Sequence, residues 1–132
     1  MGSAWLNAKI IEPPATYNVH GAKATSYEAN FAWALDVLKV PFIFQYQLFG
    51  GRRLRGGLIL DFLCLTVPLS TGVFVNGDFW HGGEGHQDST LKQKALIESE
   101  MRGSIREVIV LWGQDTETKQ AALQAAKREL HL

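Results

Sequence analysis

The sequence predicts an α/β domain built on a mixed sheet of about four strands, with helices on both faces. Three observations lead there. Segments whose apolar residues recur every three or four positions alternate with short aromatic and β-branched runs, in the order helix, strand, strand, strand, helix, strand, helix. The run Leu58 to Leu65 is apolar on both faces, the pattern of a central strand covered from two sides, and Asp61 is its only charge. The chain has 132 residues, of which 46% are hydrophobic, enough for one core and too few for two domains.

Each element has its own signal. Residues 1–24 carry little periodicity and include Pro13-Pro14, whose fixed φ and missing N–H favour an extended arm, so a single domain is expected over 25–132. A helix is expected from Ser26, with Thr25 or Ser26 as N-cap, Glu28 in the first turn, and Phe31, Ala34, Leu35 and Leu38 on one face until Pro41 ends it. Phe42 to Phe49 alternates Phe44, Tyr46 and Leu48 against Gln45 and Gln47 and is predicted as a strand. Gly50 to Gly57, with Arg52, Arg53 and Arg55 between its glycines, fits a hairpin tip leading to the strand Leu58 to Leu65. A third strand is expected over Gly72 to Asn76, followed by a glycine-rich loop to His86. Asp88 to Met101 is expected as a helix with Leu91, Ala95 and Ile97 or Glu98 marking its faces and Lys92 and Lys94 outside. A fourth strand over Glu107 to Trp112 and an alanine-rich helix over about Thr116 to Leu130 complete the order.

The charges balance at 13 Lys plus Arg against 13 Asp plus Glu, which argues against a disordered chain and against binding of a polyanion by bulk charge. Any such site must come from local clustering. The lone cysteine, Cys64, excludes an internal disulfide framework and cysteine-rich zinc sites, and it fits a reducing compartment. No apolar run approaches the roughly 20 residues of a membrane span. The segment Met1 to Glu12 lacks the charged start and apolar stretch of a signal peptide, so a cytoplasmic protein is expected, with no membrane partner. The GGRRLRGG segment lacks the lysine and following helix of a phosphate-binding loop.

Chemistry concentrates around Asp61. A carboxylate inside an apolar strand costs several kcal/mol unless a cation or donors meet it, either through a salt bridge to an arginine such as Arg55 or as part of a site. The third strand exits through Asn76-Gly77-Asp78-Phe79-Trp80-His81 at an edge adjacent to Asp61, and a carboxylate and an imidazole at neighbouring strand ends suit a metal and base site. Singly, the other candidates have plainer explanations: His81 as a packed histidine beside Trp80, Asp88 as a helix cap, Glu28 as a capping-box acid. Arg52, Arg53 and Arg55 concentrate positive field at the predicted tip, and Lys92 and Lys94 flank the site. Such charges are usually solvated, with a groove-inserting finger as the alternative.

Taken together, Glu28, Asp61, His81 and Asp88 stand in an order that resembles the very-short-patch-repair endonucleases and the homing endonucleases with a Glu-Asp-x-His-Asp site, both of the restriction-endonuclease-like, or PD-(D/E)XK, superfamily. Leu60-Asp61-Phe62 is similar to their Asp-Phe step, and Val73 to His81 to their strand running into Gly-x-Phe-Trp-His. The resemblance covers roughly Tyr27 to Trp112. It implies a restriction-endonuclease-like core and a DNA endonuclease of homing, phage or repair type, in a prokaryotic or phage-infected cell. It implies Mg²⁺ (or Mn²⁺) held by Asp61 and the backbone carbonyl of Val75. By the same resemblance His81 is the general base or a phosphate contact, Asp88 orients it, and Glu28 holds a water of the cation from the helix side. The expected partner is double-stranded DNA, engaged by Arg52, Arg53, Arg55, Lys92 and Lys94, with the chain acting as a homodimer or as a module of a larger assembly. Val75 and Gly77 stand where the wider superfamily has its second acid and its lysine, which favours the alternative of a noncatalytic nucleic-acid-binding or assembly protein on the same fold.

Overall fold

The computed structural model describes residues 17–51, 56–77 and 79–132, and of residues 79–88 the backbone alone. Residues 1–16 of the expected arm, and Arg52, Arg53 and Arg55 of the expected tip, lie outside the described residues.

The described chain is α/β, as the sequence predicts. A short hairpin, β1 (Tyr17–Val19) and β2 (Ala22–Ala24), precedes α1 (Ser26–Val37). Strands β3 (Phe42–Leu48), β4 (Leu58–Cys64) and β5 (Ser70–Asn76) follow, then α2 (Phe79–Glu100), β6 (Ile105–Trp112), the single turn α3 (Gly113–Thr116) and α4 (Lys119–Glu129). The sheet order is β3-β4-β5-β6, antiparallel in its first two pairings and parallel between β5 and β6. This mixed four-stranded sheet between helices is compatible with a restriction-endonuclease-like core and is not unique to it.

Local chemistry explains the boundaries. Thr25 caps α1 through a reciprocal box: its Oγ1 accepts from the N–H of Glu28 at 3.1 Å, and its own N–H donates to Glu28 Oε1 at 2.9 Å. Thr118 caps α4 by a single bond without the reciprocal one, its Oγ1 accepting from the N–H of Ala121 at 3.0 Å. The final helical stretch, expected as one helix from Thr116, is therefore α3 and α4, with the cap between them. At the amino end, residues 17–24 fold back as a hairpin, with Val19 buried and His20 stacked on Phe42 at 4.5 Å between ring centroids.

Two cores sandwich the sheet. On one face, Phe31, Ala34 and Leu35 of α1 and Ala122, Ala125 and Ala126 of α4 close over Phe62, Val73, Val75 and Leu111. On the other, Ile97 of α2 meets Leu60, Phe74, Ile105 and Val108. Helix α2 differs from expectation in two respects. It begins at Phe79, nine residues before the expected Asp88, although Gly82, Gly83 and Gly85 each cost about 1 kcal/mol against alanine within a helix. Among its described side chains, those buried are Thr90 and Ile97, whereas Leu91 and Ala95 are exposed.

Strands β3 and β4 also depart from simple alternation. Their register runs from Phe42↔Cys64 to Leu48↔Leu58 and omits only the Gln45/Asp61 position, where Gln45 has φ +56°. Across that point the hairpin turns over. Phe44 and Phe62 pack on the α1 side, whereas Tyr46, Leu48 and Leu60 pack on the α2 side. The expected single face of Phe44, Tyr46 and Leu48 is thus divided, because a left-handed residue reverses which side the following residues present.

Candidate active site at the carboxyl ends of the strands

Asp61 sits at the point where the hairpin turns over, and its ladder is open on both sides. Toward β3 the facing residue is Gln45, in its left-handed conformation. Toward β5 the pairing covers only Phe62↔Val73, Leu63↔Gly72 and Cys64↔Thr71, while β5 stays paired with β6 as far as Asn76↔Trp112. The N–H of Val75, left without a β4 carbonyl, donates instead to Asp61 Oδ2 at 2.7 Å. A strand residue directs its N–H and C=O to the same side, so the Val75 carbonyl faces this gap too. Immediately beyond Asp61, the Phe62 ring is fixed by Phe31 at 5.1 Å, Phe42 at 5.3 Å and Phe44 at 5.1 Å between centroids, which leaves the backbone at the site little freedom.

The electrostatics of Asp61 follow from this position. Burial pushes its carboxyl from the ordinary 3.8 up to about 7. The Val75 N–H works against burial, and the negative charge of Glu28 together with a hydrogen bond shared with Glu28 works with it. Glu28 therefore does two things. Its Oε1 completes the cap of α1, and its carboxyl meets Asp61 across the gap between helix and sheet. Two carboxyls brought together near a backbone carbonyl can share a proton or accept a hard cation. That donor set fits Mg²⁺ or Mn²⁺, which take oxygen ligands and keep several waters. Among the described residues no group of three or more His, Cys, Asp or Glu side chains gathers at one point, so most ligands of such a cation would be carbonyl and water oxygens.

The remaining predicted residues are distributed as follows. Val75 is buried, its side chain in the core on the α1 face and only its backbone in the gap. The side chains of His81 and Asp88 lie outside the described residues, and so does the pairing expected between them. Their backbones stand seven positions apart on α2, two turns or about 10 Å along the axis. Helix α2 is tied to the end of β5 by Asn76 Nδ2, which donates to Thr90 Oγ1 at 3.3 Å. Lys92 is exposed. Lys94, expected to face DNA, is engaged within the fold: its Nζ lies 2.7 Å from Glu98 Oε2 and donates to the Val108 carbonyl at 2.6 Å. Arg52, Arg53 and Arg55 belong to the loop between β3 and β4, whose base is pinched where Gly57 lies against the backbone of Gly51, leaving no space for a Cβ.

Sequence reasoning missed two participants. Gln45 gives no signal, since nothing in the sequence marks a glutamine for a left-handed conformation. For Tyr27 the one signal is Gly77, since a glycine at the end of a strand marks a place where another group approaches closely. A Cβ on Gly77 would overlap the Tyr27 ring, and Gly113 lies beside the same ring.

All these groups collect at one end of the sheet. The carboxyl ends of β5 and β6, the amino end of α1 and the β3–β4 loop are there, which is where open α/β sheets generally bind ligands. Comparison with known protein families, with curated proteins and with solved structures gives no match to this chain. No helix among the described residues is long and apolar enough to cross a membrane.

Proposed function

We propose that the chain is a divalent-cation-dependent DNA endonuclease that hydrolyses phosphodiester bonds. One observation carries the reading: Asp61, on a strand opened on both sides, meets Glu28 and the Val75 backbone at the carboxyl ends of the strands. Keeping two acids together where one of them is largely buried costs stability, and such perturbed pairs concentrate at functional sites. The order of Glu28, Asp61, His81 and Asp88, and the arginines of the β3–β4 loop, supply the DNA part of the reading.

In this reading Asp61 and the Val75 carbonyl would hold Mg²⁺ or Mn²⁺, which supplies positive charge against the phosphate. Glu28 orients water on the helix side. His81 stands in the third position of α2 and accepts a proton from the attacking water, as an imidazole titrating near neutrality can. Asp88, seven positions further along α2, is the carboxylate that the resemblance assigns to orienting His81. Arg52, Arg53 and Arg55 grip the phosphate backbone beside the site.

The test is plasmid nicking with Mg²⁺, Mn²⁺, Ca²⁺ or EDTA, by the wild-type chain and by Asp61→Asn. Cleavage is expected with Mg²⁺ and Mn²⁺, with loss of at least two orders of magnitude, about 3 kcal/mol of barrier, in Asp61→Asn. A variant that cuts at the wild-type rate would place the chemistry elsewhere. A noncatalytic DNA-binding protein is the second reading, and Val75 and Gly77 favour it: the first is a core side chain, and the second has its side-chain space filled by Tyr27. DNA binding without cation-dependent cleavage by the wild-type chain would decide for it.

A further inference from the structure

The Glu28 carboxyl has to be held against a second acid, and nothing in the capping box alone does this. The box fixes the backbone of the first turn of α1 relative to Thr25, but leaves the distance between that turn and the sheet open. The residue that spans this distance is Tyr27. Its ring lies directly on Gly77, so that a Cβ there would fall 2.9 Å from the ring's Cγ and overlap its edge atoms. The same ring passes Gly113, whose Cβ would stand 3.8 Å from Cε1. Gly77 follows β5 and Gly113 follows β6, so one ring is seated on the ends of the two parallel strands. A Cβ on Gly113 would also meet the Gly77 carbonyl at 2.7 Å, so the two glycines approach each other closely beneath the ring.

We propose that Tyr27 is the positioning residue of the candidate site: seated on Gly77 and Gly113, its ring pins the first turn of α1 to the strand ends and so holds the Glu28 carboxyl against Asp61. The inference deepens the endonuclease reading and rests on it for what the two carboxyls do. It also assigns the glycine at 77 a purpose. Gly77 stands at the place of a lysine in the wider superfamily, and here the space above its Cα is what admits the aromatic ring that sets the acid.

Tyr27→Phe, Tyr27→Leu, Tyr27→Ala, Gly77→Ala and the Tyr27→Ala/Gly77→Ala double variant test it, in the full chain. Mn²⁺ affinity is read by titration without DNA, and the Glu28 and Asp61 carboxyl ¹³C resonances are read in the metal-free protein. Tyr27→Phe is expected to keep wild-type affinity and resonances. Tyr27→Leu, Tyr27→Ala and Gly77→Ala are expected to lose about 10- to 100-fold in Mn²⁺ affinity and to move both resonances. The double variant should bind no more weakly than the worse single variant, because the clash of Gly77→Ala needs the ring. Tyr27→Leu fills the core in place of the ring and keeps the test open if Tyr27→Ala fails to fold. Wild-type affinity and unmoved resonances in Tyr27→Leu would overturn the proposal. A wild-type chain that takes up no Mn²⁺, while Tyr27→Leu still moves both resonances, would overturn the cation reading and leave the positioning role standing.

Discussion

Asp61 keeps its proton to a higher pH in the folded chain than in the unfolded one, and the sign of the resulting pH dependence follows directly. Between the ordinary 3.8 and about 7 the folded state binds the proton that the unfolded state has released. Stability contributed by this group is therefore complete below the lower value and is lost as pH rises through the upper one, at about 1.4 kcal/mol for each unit of difference. The cation-free chain is expected to melt at a lower temperature near pH 8 than near pH 5. Asp61→Asn should flatten that difference and melt at or above the wild-type temperature near pH 8, since an amide removes the repulsion with Glu28. If the chain holds the cation as proposed, added Mn²⁺ should raise the wild-type melting temperature much more near pH 8, where Asp61 has given up its proton, than near pH 5. Thermal melts over this range check all three, and an Asp61→Asn profile parallel to the wild type would mean that another group governs the dependence.

The elements show what patterning can transmit. Strands β3 to β6 were legible because short β-branched and aromatic runs bounded by glycines and prolines favour strands, and α1 was legible down to Thr25 and Glu28 because its cap is local chemistry. The turning of the hairpin at Gln45 and Asp61, the seat of Tyr27, and the early start of α2 depend on contacts between elements, and periodicity carries no record of those. Lys94 is the clearest case. On a helix wheel it is a solvated cation, yet it joins α2 to β6, the last strand of the sheet, with Glu98 taking the Val108 N–H at 2.9 Å and Lys94 donating to the Val108 carbonyl. Burial pushes the Glu98 carboxyl up, but the hydrogen bonds from Lys94 and Val108 and the charge of Lys94 prevail and hold it below its ordinary 4.5. The clip is thus complete above that value and loosens in acid. Lys94→Ala is expected to cost about 1 kcal/mol and a few degrees of melting temperature, and Lys94→Ala/Glu98→Ala less than the sum of the two single changes. Binding of DNA by Lys94→Ala should keep its wild-type salt dependence. An unchanged melting temperature with a shallower salt dependence would make Lys94 a DNA contact instead.

For the molecule as a whole, equal numbers of acidic and basic residues mean that affinity for a polyanion must arise from where the charges stand. The sheet sets that placement. Antiparallel pairing of β3 with β4 and β4 with β5 brings the β3–β4 loop to the same end as the carboxyl termini of β5 and β6. Asp61 lies three residues from the start of β4 at Leu58, or about 10 Å along the strand, so a phosphate backbone gripped by the loop would run beside the site. On the proposed endonuclease reading, Arg52, Arg53 and Arg55 would supply phosphate contacts and Asp61 the chemistry, and the two functions should separate on mutation. Replacing the three arginines with alanine is expected to reduce the slope of log K against log salt by about 0.9 for each phosphate they neutralise, up to about 2.7, while cleavage at low salt and saturating DNA persists. Asp61→Asn should do the reverse, keeping the slope and losing the cut. Binding isotherms over a salt series, paired with nicking assays on the same proteins, measure both quantities. A triple variant with the wild-type slope would remove the loop from the DNA interface. A triple variant that binds with a reduced slope but no longer cuts at saturation would mean that the arginines also hold the scissile phosphate against Asp61, because weakened affinity alone is overcome by excess DNA and a misaligned phosphate is not.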